Sequence, residues 1–238
     1  MQRALDMAGA VFFRTRSFAP LPVIFLGITL SWRSHIRPGP GGADVDLALN
    51  LVGLLLCVLG AAIRFVTVGA VPAGTSSESR QMHALALNTE GPYAVVRHPL
   101  YLGNGFITVG LLAIAHEPWA WVLGLTYFLV THVLIIRAEE ALLRRTFTNQ
   151  YDAWAEGVPR WVPKGLPLRQ GRFAWVRAIQ REVNPLVGWG MGATLLLMWE
   201  AFARSQLTAE RGRAGLVTLL MFLLMLILNK IWKIWRRA

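Results

Sequence analysis

The chain has 238 residues, 55% of them hydrophobic and 16% charged, with a formal net charge of +11 and a mean hydropathy of +0.46. The apolar residues come in long blocks, which excludes a soluble globular domain and, because the runs are unbroken, the alternating strands of a barrel. An all-α polytopic transmembrane bundle is the fold expected, with about six spans of roughly 20 residues each.

In chain order, residues 4–17 (ALDMAGAVFFRTRS) read as an interfacial amphipathic segment, because Arg14 and Arg16 fall inside the apolar run. They do not read as a cleavable signal, since no small-residue cleavage site follows a clean apolar core. Spans are expected near 18–32, 47–71, 100–116, 118–137, 185–203 and 214–232. Pro118 within HEPW breaks the run between the third and fourth spans and makes the turn of a helical hairpin. This gives three parts: an N-terminal segment and first span (1–46), a core (47–163), and a cytoplasmic linker with a C-terminal hairpin (164–238). That hairpin is open to two readings, a scaffold or oligomer contact and a lipid-binding wall.

The basic residues set the orientation. With a cytoplasmic N-terminus, the inside segments carry 18 Lys and Arg and the outside loops 5, with Arg64 inside the second span. Both termini and the loop before the third span are expected to face the cytoplasm, across an inner membrane. The net charge then serves topology and attraction to anionic membrane lipids, and nucleic acid is a poor partner, because no basic stripe lies on a soluble domain.

Cys57 is the one cysteine and lies in a span, so neither a disulfide framework nor a thiolate metal site is expected. Histidines 35, 83, 98, 116 and 132 show no ligand spacing, and no metal centre is expected from them. The glycines of GWGMG at 188–192 suit close helix packing.

Two polar constellations stand out. In GPYAVVRHPLYLG (91–103), Gly91 and Pro92 make a turn and Pro99 opens a helix, so Arg97, His98 and Tyr101 gather at a helix N-terminus where the dipole favours an anion. The plainer reading is that Arg97 and His98 only snorkel to headgroups. In IIRAEEALLRRTFTNQYDAWAEGVPRWVP (135–163), Glu139 and Glu140 lie within a turn of the end of an apolar helix, suited to a cation, an amine or a ribose. The plainer reading there is a solvated surface, with Glu140 paired to Arg144 and Arg137. An anion corner and an acidic pair on one side of the membrane together suit a zwitterionic ligand with an amino acid end and an adenosine end. Phe147, Tyr151 and Trp154 form an apolar stripe, for docking on the membrane or for covering a cofactor.

Residues 85–163 resemble the isoprenylcysteine carboxyl methyltransferase and phospholipid methyltransferase superfamily. The resemblance rests on Gly91-Pro92-Tyr93, Val96, Arg97-His98-Pro99, Tyr101 and Gly103, then Glu139-Glu140, Leu143, Phe147, Tyr151, Val158, Arg160 and Pro163. Asn88 departs from the family's usual Val. The order GTS (74–76), LNT, VRHPLYLGN (96–104) resembles bacterial members of the superfamily, including relatives that methylate a lipid A phosphate.

The resemblance implies an S-adenosylmethionine-dependent methyltransferase whose lipid or lipidated substrate enters from the bilayer. It implies cofactor contacts at Thr89, Gly91, Tyr93, Arg97, His98, Pro99, Tyr101, Leu102, Gly103, Glu139 and Glu140, with Arg97, His98 and Glu140 as catalytic candidates. Arg97, His98 and Tyr101 would face the methionine carboxylate, and the two glutamates the amino or ribose groups. Methyl transfer from a sulfonium mainly needs alignment and a dry pocket. A carboxylate or phosphate oxygen, such as an isoprenylcysteine carboxylate or a lipid phosphate, would need no base; a phospholipid amine would. The alternatives are that amine N-methyltransferase, an NADPH-dependent sterol-type membrane reductase, and a non-enzymatic membrane protein that kept the fold.

Overall fold

The computed structural model describes residues 9, 11–12, 20–30, 42–71, 86–165 and 173–235. Most of the expected interfacial segment, the GTS element at 74–76 and part of the basic linker (166–172) lie outside the described residues. Six helices carry the rest: α1 (Pro20–Leu30), α2 (Gly42–Ala70), α3 (Pro99–Ala115), α4 (Pro118–Gly157), α5 (Trp175–Ala203) and α6 (Ala209–Trp235), with a short 3-10 turn at Gly91–Ala94. Among the described residues there is no strand.

Four of the helices (α2, α4, α5 and α6) are long and apolar enough to cross a membrane. The protein is an integral membrane protein. α3 has 17 residues, about 25 Å of rise, close to the roughly 30 Å of hydrocarbon. α4 joins the expected span to the polar constellation beyond it: its 40 residues contain a break at Thr148, and the stretch before that break, from Pro118 to Phe147, rises about 45 Å. α5 also begins ten residues earlier than expected and runs through Pro185.

Glycine fixes the tightest seam. α2 and α3 pack along their length, with Gly53 and Gly60 facing Gly110 and Gly103. A Cβ at Gly53 would meet the Gly110 carbonyl oxygen at 2.6 Å, and one at Gly110 would meet the Gly53 oxygen at 2.4 Å. Gly60 and Gly103 show the same reciprocity, at 2.4 and 2.7 Å. Two glycines seven residues apart on each of two antiparallel helices let backbones touch where lipid supplies no hydrophobic drive between them. In GWGMG, Gly190 packs on Phe222 and Gly192 on Ile24, whereas among the described residues nothing approaches Gly188.

The main apolar core joins α1, α2, α3, α4 and α5 through Val23, Ile24, Cys57, Leu111, Ala120, Trp189 and Leu196. α6 lies against α5 and leaves most of its apolar side chains exposed, as a lipid-facing helix does. A second, smaller core of Tyr101, Ile135 and Ile136 sits near the start of α3, covered by Phe12 and Trp161. Phe12 of the expected interfacial segment therefore packs on the bundle, and a Cβ at Gly9 would run into α4 at Leu134 and Ala138.

Candidate active site

Pro99 occupies the first turn of α3 and His98 its N-cap, since a proline needs no N–H partner there. His98 and Tyr101 then share one side of that turn, their rings stacked 5.8 Å apart. Opposite them α4 presents Glu139 and Glu140. The Tyr101 hydroxyl donates to Glu139 Oε1 at 2.8 Å, and His98 Nε2 lies 3.1 Å from Glu140 Oε1. The helix end expected to attract an anion is thus faced by two carboxylates of the chain itself.

Glu140 is the hub. Arg160 grips it with two bonds, Nε to Oε1 at 2.9 Å and Nη2 to Oε2, and Arg97 Nη1 is 3.5 Å from Oε1. The carboxylate is buried and surrounded by His98 and two guanidinium groups, which is what permits a charge there. The solvated surface expected as its plainer reading does not hold: Glu140 is buried, and Arg144 pairs instead with Asp152 at 2.8 Å, across a break in α4 at Thr148 (φ 39, ψ −115).

Arg97 is also committed inward. Its Nε donates to the Val158 carbonyl at 2.7 Å and its Nη2 to the Ala155 carbonyl at 2.6 Å. A cation on the last carbonyls of a helix meets the negative end of its dipole. The backbone adds Arg97 N–H to Pro159 O at 2.9 Å and Lys164 N–H to Val95 O at 3.1 Å. Residues 158–164 therefore lie as a strap across the 95–97 loop, and this strap delivers Arg160 to Glu140.

The aromatic stripe turns inward too. Tyr151 is buried, and Trp154 Nε1 donates to the Tyr93 carbonyl at 3.1 Å. The break at Thr148 redirects the end of α4 onto the 91–95 turn, and the expected docking of this stripe on the membrane gives way to docking on the site. Burial pushes the Tyr93 phenol above its ordinary range, and the nearby Glu139 pushes it the same way, so the phenol stays a neutral O–H donor.

The other sequence candidates take differing places. Gly91, at φ +58, is buried beside Ala70, its Cβ position 3.5 Å from that methyl; Thr89 is exposed next to this turn. Leu102 is half-buried and its N–H donates to the His98 carbonyl at 3.0 Å. Gly103 belongs to the α2–α3 seam, where a Cβ would strike Arg64 and Gly60. Glu139 and Arg160 remain the most accessible charged groups of the cluster, their side chains 24% and 46% exposed against 10% for Glu140.

A deeper network was not singled out from sequence. Arg64 of α2 holds Glu182 of α5 through Nε (2.8 Å) and Nη2 (3.0 Å), and donates through Nη1 to Asn104 Oδ1 at 2.6 Å. Asn104 contacts His132 at 3.4 Å, and His132 meets Tyr101 edge-on at 5.3 Å. An arginine in mid-span is itself a signal, because ionised groups in hydrocarbon require partners; the partner, 118 residues away, gave none.

Chemically, the cluster offers two carboxylates against two guanidinium groups, a nearly balanced charge that accepts a zwitterion without a large net cost. Glu139 can receive an ammonium or hydroxyl, Arg160 can face a carboxylate, and Tyr101 with His98 gives an aromatic wall. These residues fit the cofactor that the sequence resemblance implies.

Residues 49–150 match the family model for phospholipid methyltransferases. The chain is 30% identical over 164 residues to the nickel-cobalt-cadmium resistance protein NccN of Alcaligenes xylosoxydans xylosoxydans, covering 67% of this chain and 71% of that protein. It is 28% identical over 150 residues to the cobalt-zinc-cadmium resistance protein CzcN of Cupriavidus metallidurans, covering 61% of this chain and 67% of that one. No solved structure matches the chain.

Proposed function

Because the chain belongs to the phospholipid methyltransferase family, we propose that it transfers a methyl group from S-adenosylmethionine to a lipid or lipid-borne acceptor at the cytoplasmic face of an inner membrane. Its six helices are then six spans, with both termini inside. The observation that carries this reading is the convergence of His98, Tyr101, Glu139, Glu140 and Arg160 where α3 begins and α4 continues beyond its apolar half.

The cofactor supplies an electrophilic methyl on a sulfonium. The chain's own residues bind and orient it: Glu139 takes the ammonium or ribose end, Arg160 the carboxylate, and Tyr101 with His98 the flat face. Arg97 and Glu140 are positioning residues, holding the strap and α4 against α3. This shifts Arg97 and Glu140 away from the direct contacts expected of them. A dry site suits a displacement in which charge leaves sulfur, and Phe12, Trp161, Ile135 and Ile136 pack beside Tyr101.

An oxygen acceptor, a carboxylate or phosphate on a lipid, is favoured because it is already anionic and the cluster's one imidazole is engaged with Glu140. The names of the two relatives extend the proposal: the modified lipid serves cells facing divalent transition metals. The test is incubation of the purified protein with methyl-labelled S-adenosylmethionine and a membrane lipid extract. Label in the lipid fraction, lost with Glu139→Gln, is expected; a folded protein that leaves all label on the donor would overturn the proposal.

A further inference from the structure

At the far end of α3, about 25 Å of helix rise from His98, a second polar cluster is buried. His116 caps α3 in the left-handed region (φ 55, ψ 20), a conformation that is unfavourable for a non-glycine residue and persists when the surroundings impose it. Its Nδ1 lies 3.6 Å from Asp46 Oδ1 of α2 and 3.8 Å from Glu200 Oε1 of α5. These separations exceed those of hydrogen bonds. They approach the roughly 3.4 Å between neighbouring ligands around a tetrahedral ion with bonds of about 2.0–2.2 Å. One donor atom from each of the three residues lies within 4.8 Å of the others.

Two features support a ligand set. Asn50, one turn after Asp46 on the same face of α2, donates from Nδ2 to Glu200 Oε2 at 2.9 Å, the outer hydrogen bond that orients a metal-binding carboxylate. Its Oδ1 is buried and has no hydrogen-bond partner among the described residues, a further oxygen beside the set. The charges also ask for a cation. Arg204 lies 2.6 Å from Asp46 Oδ2 and 3.2 Å from Glu200 Oε1, so among the described residues one guanidinium faces two buried carboxylates.

We propose that Asp46, His116 and Glu200 bind a divalent transition-metal cation at the end of the bundle opposite the methyltransferase site. One imidazole nitrogen with carboxylate and carbonyl oxygens suits zinc, cobalt or nickel, where thiolates would select softer ions and an all-oxygen cage calcium or magnesium. The ligands come from α2, the α3–α4 turn and α5, so the ion would tie three helix ends together. No histidine spacing betrays such a site, because each ligand sits on a different element.

The test uses the full chain, free of any histidine tag, in detergent. Equilibrium dialysis against zinc chloride should give one bound ion per chain, cobalt chloride should give visible d–d absorption, and the melting temperature should rise with either salt. Glu200→Gln and His116→Gln should lower affinity at least tenfold and remove the thermal shift. A folded wild-type protein that takes up no stoichiometric metal would overturn the proposal. So would variants that bind as tightly as the wild type, or a melting temperature that answers to pH and not to metal, which would make the cluster an ion-pair network balanced by a proton on His116.

Discussion

Glu139 and Glu140 are neighbours in sequence with different tasks in the fold. Glu140 is buried and touches His98, Arg97 and Arg160; Glu139 is more exposed and bound by the Tyr101 hydroxyl. Glu140→Gln is expected to destabilise the protein by about 3 kcal/mol, since it leaves two guanidinium groups facing a neutral amide, and to lower cofactor affinity through the loosened strap. Glu139→Gln is expected to lower affinity tenfold or more while moving the melting temperature by little, as for a partly exposed group. Thermal unfolding and cofactor titration of both variants separate the two roles. The acidic pair was plain in the sequence, but its division of labour was not: Arg160 reaches Glu140 from 20 residues away, and only the strap over the 95–97 loop brings it there.

Among the elements, the α2–α3 hairpin sets the platform for the site. Its four glycines sit where backbones touch, so Gly60→Leu and Gly110→Leu should each cost several kcal/mol or prevent folding. Gly188→Ala, with none of the described residues within 4 Å of its Cβ position, should be neutral or slightly stabilising. Thermal unfolding in detergent reads both. Hydropathy located each of the six helices among the described residues, and proline and the HEPW turn fixed the starts of α3 and α4. The helical spacing of Glu140 and Arg144 already implied that α4 runs past its apolar half, where Glu139, Glu140 and the basic residues after them are good helix formers; what pattern reading missed was the break at Thr148. The GWGMG glycines were legible as packing residues, whereas the α2–α3 pairing needs a register between two helices that no single stretch encodes.

For the whole molecule, α3 separates two polar ends, the cluster at His98 and the cluster at His116. If the basic residues set the topology as proposed, a new cysteine at Lys164, beside the strap, faces the cytoplasm, and one at Ser205, after α5, faces outward. Cys57 is buried, so the native background of labelling is low. A membrane-impermeant maleimide applied to intact cells should label Ser205→Cys and should label Lys164→Cys only after permeabilisation; the reverse pattern would invert the bundle and place the site outside.

Whether the cluster at the start of α3 holds S-adenosylmethionine is read by calorimetric titration of the purified protein, with a nicotinamide dinucleotide as control. Saturable binding of S-adenosylmethionine near one per chain, weakened in Glu139→Gln and absent for the dinucleotide, is the result predicted. A folded protein that binds the dinucleotide, or that binds neither compound, would contradict it.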